Sequence, residues 1–327
     1  MCSLRSVVIL VSCALLMEGR VPTLASAQEA GSFRQTVLTR QRETLQAVAA
    51  YLTANPQADD ADEARTWMLE TAVTNGLEPE ATGVAQQVLK RPELEPAQRA
   101  LALKVLCVGS ARAGDMTGAQ ETFPQVLRGF RIQMPFPALD ITTLLAARAQ
   151  LAGDREALNG FYDAYESHFA LNAQATEIVR NRRLRLDLLG KPAPALEGQD
   201  LTGGAVNWSD YSGKVVLVDF WATNCAPCLA EFPNLKRLAR QHREAGFEIL
   251  GVSFDESTAQ VTGFTRQNGL EWRQLLNPSG QGPVVAGFQV RTIPALFLVD
   301  RQGKVAFVDV RGEELREAVE KLLKAPR

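Results

Sequence analysis

Two cysteines, Cys225 and Cys228, enclose Ala226 and Pro227 and follow the apolar run Val215-Val-Leu-Val-Asp-Phe-Trp221 almost directly. Beyond them Leu229, Phe232, Leu235 and Leu238 recur at helical spacing. A β-branched run, a turn and an amphipathic segment read as a buried strand, a short turn and a helix whose first turn carries both thiols. A helix N-terminus favours a thiolate, because the positive end of its dipole lies there. Thiols so placed suit disulfide exchange, metal ligation or a structural cross-link.

The rest of the chain separates these chemistries. Zinc requires about four ligands, and the other soft candidates after the leader are Cys107, His168 and His242. No metal and no cofactor are expected. Residues 1–27 read as a secretory signal: Arg5 is the basic start, Val7 to Met17 the apolar core and Ala25-Ser-Ala27 the cleavage site. A lipoprotein-like box, Leu10-Val-Ser-Cys13, and an uncleaved anchor are the alternatives. Cleavage removes Cys2 and Cys13 and leaves one close pair plus Cys107. A disulfide-stabilised domain would carry more, evenly paired cysteines, so one close pair in an exported chain points to a working dithiol. Cys107, flanked by Leu106 and Val108, reads as an inert small hydrophobe. At 327 residues, 46% hydrophobic and net charge −2 with both signs scattered, the chain suits two globular domains and carries no nucleic-acid footprint.

Two kinds of pattern flank a break at Gly190-Lys-Pro-Ala-Pro194. Residues 28–190 are rich in helix formers and read as an all-α domain. Its helices cover Phe33 to Ala54, a second ending at Asn75-Gly76, Pro79 to Arg91, and one opening at Glu95-Pro96. Gly76, Gly114 and Gly153 recur at near-equal intervals, each with an apolar residue eight positions earlier. That spacing suggests stacked helical hairpins; an irregular bundle is the equal alternative. The arginines at 180, 182, 183 and 185 read as the solvated face of a last helix, and His168 as a packing or surface residue.

Residues 191–327 read as α/β. A hairpin turns at Asp200-Leu-Thr-Gly-Gly204 and returns over Ala205 to Trp208. Strands follow at Val215–Trp221, Phe247–Phe254, Trp272–Leu276, Ala295–Val299 and Val305–Val310, with helices between them and a closing helix from Glu313. The expectation is a mixed central sheet flanked by helices.

The segments Gly190-Lys-Pro-Ala-Pro194, Trp208 to Cys228, Glu231-Phe-Pro233 and Thr292-Ile-Pro-Ala295 together resemble the thioredoxin superfamily, and more closely its exported TlpA/ResA-like thiol–disulfide oxidoreductases. The likeness spans about Gly190 to Lys324. It implies Cys225 as nucleophile, Cys228 as resolving thiol, and Asp219 and Glu231 as acids serving Cys228, with Asp219 the main proton acceptor. It implies a cis Pro294, with the Ile293 backbone pairing an incoming substrate strand. Trp221 and Asn224 join the substrate-binding set, although Trp221 also reads as core. Asn224 departs from the family, which usually has Trp before the first cysteine; Ala295 replaces the common Thr after the proline.

The implied function is disulfide exchange with partner proteins in the periplasm or cell envelope. The direction is reductive, as in cytochrome c biogenesis, and needs a membrane electron donor. Two rivals stay open: a helical protein-binding scaffold with a vestigial disulfide, and a thiol peroxidase. For the latter, Thr223 is present but no proline completes the expected Pro-x-x-x-Thr-x-x-Cys loop.

Overall fold

A computed structural model describes residues 33–196 and 198–326; the expected signal segment, with Cys2 and Cys13, lies outside them. The chain divides into two compact units, one ending at Ala81 and one beginning at Thr82. The break in sequence pattern at Gly190 therefore falls inside the second unit.

The first unit holds α1 (Phe33–Ala54) and α2 (Ala61–Asn75). The left-handed Gly76 caps α2, its N–H donating to the Ala72 carbonyl. Leu45, Leu52, Met68, Leu69 and Ala72 are buried. A 3-10 turn, Glu78–Ala81, follows, and Glu80 pairs with Arg42 of α1.

The second unit begins with α3 (Thr82–Leu89), α4 (Pro96–Arg112), α5 (Met116–Leu127), α6 (Phe136–Ala152), α7 (Arg155–His168) and α8 (Ala173–Leu186). The same turn chemistry joins α4 to α5 and α6 to α7. A glycine with positive φ, Gly114 or Gly153, is followed by an aspartate that caps the next helix. Asp115 accepts from the Gly118 N–H and Asp154 from the Ala157 N–H. Cys107 is buried on α4, with its thiol directed at the Ala119 carbonyl.

The sheet comprises β1 (Val215–Trp221), β2 (Phe247–Ser253), β3 (Arg273–Leu276), β4 (Ala295–Val299) and β5 (Val305–Val308), in the order β3-β2-β1-β4-β5. β1 runs parallel to β2, and β2 to β3; β4 is antiparallel to β1 and β5. Helices α9 (Ala226–His242), α10 (Thr258–Asn268), α11 (Pro283–Gly287) and α12 (Gly312–Lys324) complete the unit. Every β1 side chain is buried, as a central strand covered on both faces requires. Val216, Val218 and Phe220 join one apolar cluster that also holds the cores of α4 to α8. Val215, Leu217 and Trp221 join the other, with Cys225, Cys228 and side chains of α9 and α12. Helices α4 to α8 thus share a core with the sheet.

Two local expectations change. The return strand over Ala205–Trp208 reduces to a single bridge between Gln199 and Ala205. Trp208 instead starts a 3-10 turn capped by Asn207, and its indole N–H donates to the Pro194 carbonyl. The arginines of α8 do not form a solvated face. Arg180 is exposed, but Arg183 pairs with Asp163, Arg182 bonds Thr143, and Arg185 is buried against Asp309. A local polar pattern cannot reveal a carboxylate 124 positions away.

Both sheet edges are occupied. Beside β3, the Leu201 N–H donates to the Gln274 carbonyl. Beside β5, Gly190 and Lys191 exchange backbone bonds with Val305, and the Gln150 side chain bonds both the N–H and the carbonyl of Val308 at 2.9 and 3.0 Å. Among the described residues no helix is long and apolar enough to cross a membrane. Gln150→Leu leaves two polar groups of the buried Val308 unpaired, each worth about 1–3 kcal/mol. Urea unfolding should show a loss of about 2–6 kcal/mol for the two together, while the dithiol keeps its reactivity.

Candidate active site around the dithiol

Cys225 and Cys228 form a disulfide, with S–S 2.02 Å and Cα–Cα 5.2 Å. Cys225 is the N-cap of α9, and its carbonyl accepts from the N–H groups of Cys228 and Leu229. Pro227 lies in the first turn, where a missing N–H costs nothing. Cys225 is the more exposed sulfur residue, at 9% against 3% for Cys228. Asn224, Ala226 and Pro227 around it are exposed.

The antiparallel register sets Phe220 opposite Ala295, so the residues after β1 and before β4 meet at one end of the sheet. The cis Ile293–Pro294 bond thereby lies beside the loop that carries Cys225. Ile293 packs against the cluster containing both cysteines. Ile293 and Pro294 are half-buried, and Ala295 is fully buried. Trp221 is a correction: it is completely buried, edge-to-face with Phe232 and tilted against Phe264, and cannot meet a partner in this state. Its indole N–H donates to Gln274 Oε1 at 3.0 Å. Gly251 makes room for that contact, since a Cβ there would lie 1.9 Å from the same oxygen.

Strand alternation puts Asp219 on the face of β1 that carries Leu217 and Trp221, the face of the dithiol cluster. Asp219 is 3% exposed. Burial pushes its carboxyl up to about 7; Glu231 adds to the rise, and Arg311 opposes it. Glu231, one turn into α9, is held differently. Its Oε1 accepts from the Gly312 N–H at 2.9 Å and from the Asn234 amide, which fastens α9 to the start of α12. The two acids thus share a neighbourhood but not an environment. Asp219 is a buried acid whose carboxyl is raised by that burial, whereas the Glu231 side chain is engaged in backbone support.

Several supporting residues carry no motif. Asp255, just beyond β2, accepts from the Thr223 N–H at 3.0 Å and its hydroxyl at 2.6 Å, and from the Ser253 hydroxyl at 2.8 Å. The Gln260 amide donates to both Asp255 and Thr223. This network pins the loop just ahead of Cys225. A polar Ser-Phe-Asp at the end of a buried strand was the available signal. Arg311 was also unmarked. Its Nε and one terminal N–H are shut from solvent without hydrogen-bond partners. Burial pulls it below the usual guanidinium value, against the opposing charges of Asp309, Glu231 and Asp219. Among the described residues no group of three or more His, Cys, Asp and Glu side chains is placed to hold a metal.

Asp219 gives the oxidised protein a defined pH response. The fold favours its acid form, so that contribution is complete below the unfolded carboxyl value of about 4. It is lost as pH rises through about 7. Asp219→Asn, which never ionises, should be the more stable protein at pH 9, by on the order of 4 kcal/mol. The gap should close towards pH 4, as urea unfolding of the oxidised forms would measure.

Residues 189–308 match the AhpC/TSA family. The chain is 33% identical to the thiol–disulfide oxidoreductase ResA of Bacillus thuringiensis subsp. konkukian over 136 residues, 42% of this chain and 77% of that protein. It is 33% identical to ResA of Bacillus subtilis over 119 residues, 36% of this chain and 65% of that one. A solved thioredoxin domain of a thiol–disulfide oxidoreductase from Bacteroides vulgatus is 34% identical, covering 42% of this chain and 98% of its own, with a TM-score of 0.39. Through its C-terminal portion the chain belongs to the ResA family of thioredoxin-like thiol–disulfide oxidoreductases.

Proposed function

We propose that Cys225 and Cys228 are the working dithiol and that the protein reduces disulfides of partner proteins in the cell envelope. The observation that carries this reading is the pair of cysteines at the start of α9, with the more exposed one as N-cap and Asp219 buried on the facing strand. The thiolate of Cys225 attacks one sulfur of a partner disulfide, forming a mixed disulfide and releasing the other sulfur as a thiolate. Cys228 then gives its proton to ionised Asp219 and attacks Cys225. The second partner sulfur leaves and takes up a proton. Two electrons have passed from the dithiol to the partner, and Cys225 and Cys228 are joined.

Resetting the site requires a two-electron donor, in keeping with a membrane reductant on the inner side of the envelope. The curated relatives named ResA support a thiol–disulfide role. A link to cytochrome c biogenesis and export by cleavage after Ala27 belong to the same proposal. Ile293 and Pro294 would present backbone to an extended partner segment, and Asn224 would line the approach to Cys225. We read the helices of residues 28–190 as an accessory region.

Reduction of a protein disulfide such as insulin tests the reading. The wild type should turn over with a thiol donor, and Cys225→Ser should abolish that turnover. Absence of wild-type turnover would favour a scaffold, and efficient peroxide consumption would favour a peroxidase. Cys228→Ser should accumulate the mixed disulfide, visible on non-reducing gels. Asp219→Asn should slow closure of the Cys225–Cys228 disulfide across neutral pH more than Glu231→Gln does. The reverse order would make Glu231 the acceptor.

A further inference from the structure

The backbone at Ile293 is held from an unexpected direction. Among the described residues, one hydrogen bond reaches the backbone of residues 291–293, and it comes from Arg185 of α8, whose guanidinium donates to the Thr292 carbonyl at 3.2 Å. The same guanidinium donates to Asp309 Oδ2 at 2.7 Å, with the two side chains 2% and 4% exposed. Asp309 reaches the other side of the cis proline. Its Oδ1 accepts from the Leu296 N–H at 3.2 Å, and its own N–H donates to the Leu296 carbonyl at 2.8 Å. Asp309 holds a left-handed backbone, φ 55°, which costs a non-glycine residue energy and aims the side chain inward at this point. Arg185 and Asp309 therefore bracket the cis-proline segment, one bond on the Thr292 side and two on the Leu296 side.

The bracket joins parts of the chain with different sequence character. Arg185 precedes the break at Gly190, while Thr292 and Asp309 belong to the thioredoxin-like portion. Two further contacts brace the same junction. Gln150 of α6 bonds Val308, the residue before Asp309, and Arg112 of α4 pairs with Glu314 of α12 at 3.1 Å. A buried ion pair contributes little net stability compared with apolar packing, and its best-attested use is to fix one arrangement. Here the arrangement fixed is that of the loop ahead of β4 that carries the cis proline.

We propose that Arg185 is a positioning residue: acting through Thr292 and Asp309, it sets the Ile293 backbone in register to receive an extended partner segment. Helix α8, which precedes the thioredoxin-like portion, thus takes part in partner recognition without touching the dithiol. The inference rests on the proposed pairing of Ile293 with a partner strand. Its chemical consequence is selective. A peptide disulfide that must lie along the loop depends on Arg185, whereas a small aromatic disulfide that reaches Cys225 directly does not.

The test compares single-turnover oxidation of the reduced protein by a disulfide-bonded peptide and by 5,5′-dithiobis(2-nitrobenzoate). Arg185→Lys keeps the charge but replaces the fork, whose two terminal nitrogens reach Thr292 and Asp309 separately, with a single ammonium. Arg185→Met combined with Asp309→Asn removes both charges of the pair, although Arg182 and Arg311 then lose that carboxylate. In each folded variant the half-saturating peptide concentration should rise about tenfold, with the limiting rate and the small-disulfide rate close to wild type. An unchanged half-saturating concentration in Arg185→Lys overturns the inference, as does an equal loss with both oxidants, which would mark a purely structural role. If the double variant fails to fold, Arg185→Lys decides alone. A wild type that reacts with the small disulfide but never with the peptide overturns the proposed function, and this inference with it.

Discussion

The central strand β1 must be covered on both faces, and the rest of the second unit follows from that constraint. One face receives α9 and α12, which bring the dithiol and Glu231. The other joins the cluster that runs into α4 to α8. Burial on both sides is what makes Asp219 unusual. A carboxylate at a strand edge would keep its ordinary acidity, but in the middle of this sheet the charged form loses its water. The same burial that builds the fold therefore tunes the acid beneath the thiols.

Charge is handled by proximity rather than by solvent. Arg311 feels the charges of Asp309, Glu231 and Asp219 together. Burial would raise Asp309, but Arg185, Arg182 and Arg311 hold it below the usual carboxylate range. Cations and carboxylates thus alternate from α8 through the turn after β5 to the central strand. Asp219, farther from α8, receives less compensation, and for it burial prevails.

Where local chemistry decides structure, the sequence was sufficient. Helix α1, strand β1 and strand β4 occupy the stretches that the sequence marks, and Gly76 closes α2 in the left-handed conformation. The Cys-Ala-Pro-Cys turn and the acid on β1 were legible for the same reason: a strand, a turn and a helix leave a continuous trace. What could not be read depends on distant partners. Arg185 belongs to a run of arginines that looks solvated until Asp309 is placed against it. Trp221 could equally serve a core or a surface until Gln274, Phe232 and Phe264 enclose it. The change of pattern at Gly190 marks a change of secondary structure, whereas compactness changes at Ala81, because packing does not follow composition.

The occupied sheet edges have a consequence for how this molecule meets others. An unpaired edge strand is a general-purpose adhesive that accepts any extended chain, including another copy of itself. Here Leu201 closes off β3, while Lys191 and Gln150 close off β5. A redox protein that handles unfolded or reduced chains works among many exposed strands. With both rims engaged by the chain itself, the main-chain pairing proposed for the short loop ahead of β4 meets less competition from the edges of the sheet. Under the proposed function, clients would be held beside the sulfurs rather than along the sheet.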